Sequence, residues 1–308
     1  MPVDTERISV VIPTRDRATL LERTLRSLAR VEGAAGLEIV VIDDGSETPL
    51  ADQLPLAELD LDLRVLRQEP GGLNVGRNSG VAATSREIVA FLDDDVLVEP
   101  DWGIGVAAAF DGRRALIGGR ILADAPIPVP DWVHPQKRTY ISVLDLGDRP
   151  GPFPSWAGPV GANFAVLRDV LHRVGTFRPG LDRTGKSLLS GGDTELVGRV
   201  LAAGLVVEYW PAATVHHHIP VERLTKAWFR ERARAQGRTN VLMDGADDLG
   251  PRALAGEALR ALRAGGIAAK RVRQRQSLID AELWLWSSRG RLEARRDLRR
   301  ARREREDG

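Results

Sequence analysis

The stretch Ile88-Val89-Ala90-Phe91-Leu92-Asp93-Asp94-Asp95-Val96 runs from five apolar residues straight into three carboxylates. The apolar five read as a buried strand. Ionised carboxylates at its end are costly unless paired or metal-bound, and three adjacent ones repel one another. A bound cation relieves both problems. Oxygen ligands suit Mg²⁺ or Mn²⁺, and Mg²⁺ is commonly held by one or two carboxylates together with substrate phosphates. The alternative is a solvated acidic turn after a strand.

Outward from this run, Ile8 to Pro13 and Glu38 to Ile42 read as buried strands, and Leu63 to Arg67 as another. Helices are expected over Arg17 to Arg30, where Leu21, Leu25 and Leu28 fall at i, i+4, i+7, and over Val75 to Ser85, where Gly76 and Gly80 weaken the pattern. Strands alternating with helices predict a doubly wound, mostly parallel α/β sheet, with ligands beyond the carboxyl ends of its strands. Three strand ends carry polar groups: Pro13-Thr14-Arg15-Asp16, Asp43-Asp44-Gly45-Ser46 and Asp93-Asp94-Asp95. Their recurrence favours a site over a turn. Ala123 to Pro159, rich in Pro and Gly, reads as an irregular excursion that shapes a pocket or forms a lid. Helices are expected from Arg168 and over Thr194 to Ala203, a short strand over Val206 to Trp210, and mainly helix from Glu222 onward.

The 308 residues allow one large α/β domain or two smaller ones. The absence of cysteine excludes disulfides and thiolate metal sites. No apolar run approaches a membrane span, and the start, with Asp4 and Glu6, is unlike a secretory leader. A cytoplasmic location is expected, at the inner face of the membrane if the basic C-terminus touches lipid. Net charge is +1, yet Pro251 to Gly308 carries 16 Lys+Arg against 8 Asp+Glu, which leaves −7 on the preceding 250 residues.

Seven segments, taken in order, resemble the family 2 glycosyltransferases, which have the GT-A fold, over about residues 7 to 240. Val10 to Arg17 is similar to that family's opening strand and turn, and Val40 to Ser46 to its second strand. Asn74 to Gly80 resembles its Asn-Gly segment with an arginine, and Phe91 to Asp95 its metal-binding D-x-D. Gly161-Ala162-Asn163 resembles the acceptor-side G-x-N, Gly191 to Leu196 the catalytic G-E-D-x-[DE]-L, and Val215 to Pro220 the late V-x-H-x-V-P. Asp16 stands where Asn is usual. Gly192 stands where Glu is usual, which removes a carboxylate beside the expected base.

The resemblance implies an inverting, metal-dependent glycosyltransferase. It would move a sugar from a nucleotide diphosphate sugar (UDP, dTDP or GDP) to an unidentified acceptor hydroxyl or amine by direct displacement. By resemblance, Asp95 is the main protein ligand of Mn²⁺ or Mg²⁺, Asp93 assists, and His217 is a second ligand. On a strand His216 and His218 face away from His217; a solvent-facing His cluster or a structural zinc site are the alternatives. Asp193 is expected as general base, and opening a helix it equally suits an N-cap. Pro13, Thr14, Arg15, Asp44, Asn74, Arg77, Asp93 and Asp94 are expected to bind nucleotide and substrate, and Trp156, Gly161, Asn163 and Glu195 to form the acceptor side. Asp44 alone also suits a plain turn, Arg77 a helix surface, and Trp156 core packing.

The expected organisation is a catalytic domain over residues 1–221 and a helical, basic extension over 222–308. In the extension Ile279, Leu283 and Trp286 recur at i, i+4, i+7 among arginines. Such a helix suits an anionic membrane surface, a second copy of the chain, or packing back on the catalytic domain. Glu and Asp interleaved with the arginines argue against nucleic acid. A non-catalytic nucleotide-sugar module is disfavoured because Asp95, Asp193 and His217 are all present. A nucleotidyltransferase would be expected to carry a glycine-rich loop near the first strand, and Thr14-Arg15-Asp16-Arg17 has no glycine. No G-x-G-x-x-G follows that strand either, which disfavours a dinucleotide-binding dehydrogenase.

Overall fold

A computed structural model describes residues 4–125, 129–182, 187–244 and 275–306, with Gly256, Leu259, Leu262 and Gly266 besides. The chain divides into two compact units. The first comprises Met1–Ile127, Ser142–Gly180 and Gly192–Ile219; the second comprises Pro128–Ile141, Leu181–Gly191 and Pro220–Gly308.

The first unit is built on one nine-stranded sheet. Its elements begin β1 (Ile8–Thr14), α1 (Ala18–Leu28), β2 (Glu38–Asp43), β3 (Asp62–Arg67), α2 (Leu73–Ala83) and β4 (Ile88–Leu92). They continue β5 (Val96–Val98), α3 (Trp102–Ala109), β6 (Leu116–Ala123), β7 (Gly151–Pro152), β8 (Asn163–Leu167), α4 (Arg168–Val174), α5 (Gly192–Ala202) and β9 (Val207–His217). The strand order is β3-β2-β1-β4-β8-β6-β9-β5, with β7 on β9. β1 to β4 are mutually parallel, as the alternation of strands and helices predicts. The second half departs from the expected mostly parallel sheet. There β8 runs antiparallel to β4 and β6, β5 and β7 run antiparallel to β9, and only β6 and β9 pair in parallel.

The two faces of the sheet are covered differently. Leu21, Leu25 and Leu28 of α1 and Trp102 and Val106 of α3 pack with Val10, Ile12, Ile39 and Val41. Val81 of α2 and Leu196 and Val200 of α5 share the other core with Val11, Val89, Phe91 and Phe164. Burying each such side chain contributes about 1.5–3 kcal/mol. The alternating residues of consecutive strands therefore point to opposite cores, which is why these strands read as unbroken apolar runs.

Five elements escaped the sequence reading: α3, β5, β6, β7 and β8. α3 is apolar on nearly every side and carries Gly103 and Gly105, so it shows no amphipathic period. β5 has only three residues, and β6 contains Gly118 and Gly119. β9 extends well past the expected Trp210. Its register against β6 shifts between Gly119 and Arg120, where Pro211 to Ala213 are looped out. That irregularity accommodates a proline inside a strand.

In the second unit, α6 (Lys226–Asp244) and α7 (Arg275–Glu306) pack along each other. A Cβ on Gly237 would lie 1.9 Å from the Ser287 carbonyl oxygen, and one on Gly290 the same distance from that of Arg234. Side chains are excluded at both positions by this close approach. Ion pairs Arg230–Glu282, Arg234–Glu293 and Arg238–Asp297 flank it. Ile279 and Leu283 of the expected apolar stripe are buried, while Trp284 and Leu285 are exposed. Two of the three stripe residues are therefore buried within the chain. The basic run from Lys270 to Gln274, like Pro126 and Pro128 of the irregular excursion, lies outside the described residues. Among the described residues no helix is long and apolar enough to cross a membrane.

Candidate active site

Because β1 and β4 are parallel neighbours, Thr14 and Asp93 to Asp95 leave the sheet at the same edge. The pairing of Val96 with His217 brings the end of β9 to that edge as well. One ligand atom from each of Asp93, Asp95 and His217 can be chosen so that all lie within 4.8 Å of one another. His217 Nε2 is 3.4 Å from Asp95 Oδ1, and both side chains are buried. His216 instead meets Glu99 at 2.5 Å, and His218 faces Asp124 at 3.8 Å. The strand parity that separates His217 from its neighbours is thus present in the fold.

Asp94 points the other way. It accepts hydrogen bonds from Thr14 Oγ1 at 2.6 Å and Arg17 Nη1 at 2.5 Å. Burial pushes its carboxyl up to about 7, with Arg17 opposing and the Asp95 charge adding to the rise. Arg17 also donates from Nη2 to Asp95 at 2.6 Å. Burial works against the Arg17 charge, but Asp94 and Asp95 outweigh it and raise its pKa. Asp16 precedes it with φ of 54°, a left-handed conformation that Asp and Asn tolerate better than most residues, which explains the exchange of one for the other. No role for Arg17 is legible in its own segment, because its carboxylate partners follow β4, three strands later in the chain.

Around the second strand end, Asp44 accepts the N–H groups of Gly71 and Gly72 at 2.8 Å each, and an amide hydrogen of Gln68 at 2.7 Å. It therefore fastens the loop that opens α2. Asp43 does the same for its own turn, accepting from Ser46 N–H at 2.8 Å and Leu50 N–H at 3.2 Å and pairing with Arg67. Pro13 lies within β1, and Arg15 is exposed beside Asp16.

Asp193 lies in the first turn of α5 and accepts the Gly161 N–H at 2.9 Å. Gly161 in turn accepts from Arg77 Nη2 at 3.2 Å, and the same nitrogen is 3.6 Å from Asp93. Arg77 is buried, stacked over Phe177 at 5.2 Å, and so is no surface arginine. Asn74 is buried and donates to the Arg178 carbonyl at 2.8 Å. Asn163, expected on the acceptor side, is bonded inside the sheet. Its Nδ2 donates to the carbonyls of Arg120 and Ala213, and its Oδ1 accepts from Trp102 Nε1. Glu195 orients Arg199, whose guanidinium satisfies carbonyls of Val174, Gly175 and Thr176 at the end of α4. Trp156 is 41 % exposed, so the core-packing alternative does not hold.

Two carboxylates and one imidazole, two of the three buried, form a donor set that fits Mn²⁺ well and Mg²⁺ less well, since imidazole is the poorer ligand for the harder ion. Arg17, 2.6 Å from Asp95 Oδ2, answers that carboxylate's charge in part.

The Glycosyl transferase family 2 model matches residues 9–175. The Validoxylamine A glucosyltransferase of Streptomyces hygroscopicus subsp. jinggangensis is 43% identical over 108 residues, 34% of this chain and 26% of that protein. The Pre-mycofactocin glycosyltransferase of Mycobacterium tuberculosis is 30% identical over 216 residues, 68% of this chain and 42% of that protein. The chain thus spans about a quarter to two fifths of the length of these curated relatives. Among solved structures, the mannosyltransferase PcManGT from Pyrobaculum calidifontis, in complex with GDP-Man and Mn²⁺, has a TM-score of 0.62 at 18% identity, covering 93% of this chain and 87% of that one. That likeness carries the GT-A fold.

Proposed function

The chain belongs to glycosyl transferase family 2, and from that premise we propose that it is an inverting, metal-dependent glycosyltransferase using a nucleoside diphosphate sugar. The observation that carries this reading is the convergence of Asp93, Asp95 and His217 at the strand edge that also bears Thr14. These three residues would hold Mn²⁺ or Mg²⁺. When bound, such an ion stabilises the departing diphosphate as a Lewis acid, a contribution of several kcal/mol. PcManGT, with its GDP-Man and Mn²⁺, supports the same donor class and ion here.

The chain's own residues supply the rest. Arg17 adds positive charge at the diphosphate. Thr14, Asp44 and the turn from Pro13 to Arg15 bind the nucleotide. Asp193 takes the proton from the acceptor hydroxyl or amine while the Gly161 N–H fixes its carboxylate. General-base help of this kind contributes about 10²–10⁴ in rate. With one base and no carboxylate assigned as nucleophile, direct displacement inverts the anomeric centre. Residues 1–221 hold this machinery; the extension over 222–308 serves assembly or location, at the cytoplasmic membrane face if anywhere on lipid.

The test is to offer UDP-, dTDP- and GDP-sugars in turn with Mn²⁺ and a panel of acceptors, then read the product linkage by NMR. One donor class, with its configuration inverted, is expected. Retention would overturn the displacement, and no turnover of any donor would overturn the activity.

A further inference from the structure

Arg77 and Gly161 link the two ends of the reaction that the preceding reading assigns. The Arg77 guanidinium is buried, with its Nη2 3.6 Å from Asp93 Oδ1 and 3.2 Å from the Gly161 carbonyl. On the far side of the same residue, the Gly161 N–H donates to Asp193 Oδ2 at 2.9 Å. The sheet explains the juxtaposition. β8 starts at Asn163 opposite Leu92, so the residues just before it lie beside those just after β4. A Cβ on Gly161 would sit 2.3 Å from Arg77 Nη2, so only glycine admits this contact.

Asn74, on the same helix as Arg77, packs against Gly192, the residue before Asp193. A Cβ on Gly192 would lie 2.3 Å from Asn74 Nδ2. The Asn74 amide therefore occupies the space that a glutamate at position 192 would need. Asn74 and Arg77, one turn apart on α2, fix Asp193 from two directions: through its chain neighbour and through the peptide N–H it accepts.

We propose that Arg77 is a positioning residue that sets the distance between the metal-side carboxylate Asp93 and the base Asp193, through Gly161, with Asn74 against Gly192 as its support. This rests on the reading of Asp193 as the base. It gives Arg77 a role in the rate of transfer in addition to any contact with nucleotide. Displacing a reacting group by about 1 Å costs roughly 10²-fold in rate, and that is the loss expected when the guanidinium is removed.

The test compares Arg77→Gln, Arg77→Lys, Asp193→Asn and the double variant Arg77→Gln/Asp193→Asn, with nucleoside diphosphate affinity measured calorimetrically in Mn²⁺. Arg77→Gln is expected to lower kcat for transfer about 10²-fold beyond any change in nucleotide affinity. Arg77→Lys, which keeps the charge but not the fork, should recover only part of the loss. In the Asp193→Asn background the same Arg77→Gln change should cost less than about threefold, since the group it positions is gone. Full multiplication of the two losses, or an Arg77→Gln defect confined to nucleotide affinity, would overturn the proposal. Near-normal turnover by Asp193→Asn would instead overturn the base assignment. Urea unfolding of each variant guards against a folding artefact. Asn74→Ala alone should lower kcat with nucleoside diphosphate affinity little changed; near-normal kcat in Asn74→Ala would count against Asn74 as support.

Discussion

At the end of β4, Asp93 and Asp95 gather with His217 while Asp94 and Asp95 share Arg17, whereas on α5 Asp193 and Glu195 bond to separate partners, a backbone N–H and an arginine. The first arrangement concentrates negative charge in a buried place, and burial holds Asp94 up to about 7 as a consequence. The second spreads charge along a helix start, where the N-terminal dipole also favours it. A concentrated cluster gains from an added cation; a dispersed one needs only fixed geometry. The two edges should therefore respond differently to substitution, to chelators and to pH.

The largest effect is expected from Asp95→Ala, which should lower transfer by about 10³-fold, the upper range for removing one electrostatic contact at a reaction centre. It should also abolish Mn²⁺ binding, read by calorimetry. Asp193→Asn comes next: transfer should fall about 10²–10⁴-fold, while affinity for the nucleoside diphosphate stays unchanged. Equal losses of nucleotide affinity in both variants would erase the contrast between the edges.

Stability should sharpen the contrast further. Asn163→Ala leaves the Trp102 N–H and two carbonyls without their partner, and a loss of about 3 kcal/mol in urea unfolding is expected. A similar loss of about 1–3 kcal/mol from overpacking is expected for Gly237→Val in the second unit, with Mn²⁺ affinity unchanged.

The smallest effect concerns pH. Burial alone would raise the pKa of Glu38, but the Ser85 N–H, the Ser9 and Ser85 hydroxyls and Arg64 outweigh it and hold the carboxyl below its ordinary 4.5. Its contribution to stability is present above that pH and is lost as pH falls through the lowered folded value. Glu38→Gln should flatten the acid limb of the stability profile. An unchanged limb would assign the acid sensitivity elsewhere.

The contrast between edges also explains what could be read without coordinates. β1, β2 and β4 were visible because both faces of each strand are buried, and their polar ends announced the donor edge. Family 2 membership was legible for the same reason, since its segments cluster at those ends. The acceptor edge was harder. The bonds of Asn163 run to the Arg120 and Ala213 carbonyls and the Trp102 indole, far away in sequence, so a short G-x-N segment says nothing of them. Arg17 shows the same limit, as its carboxylate partners lie more than seventy positions away. The stripe of Ile279, Leu283 and Trp286 had the period of a surface-binding helix, and periodicity cannot tell lipid from a neighbouring helix such as α6.

Titration of the protein with Mn²⁺, followed by electron paramagnetic resonance in the presence of the nucleoside diphosphate, tests the metal-centred reading most directly. The wild-type chain should bind one ion, Asp95→Ala and His217→Ala should lose it, and Asp193→Asn should keep it. Transfer should stop in excess chelator and return with Mn²⁺. Full transfer in chelator, or unchanged Mn²⁺ binding in Asp95→Ala, would contradict the reading.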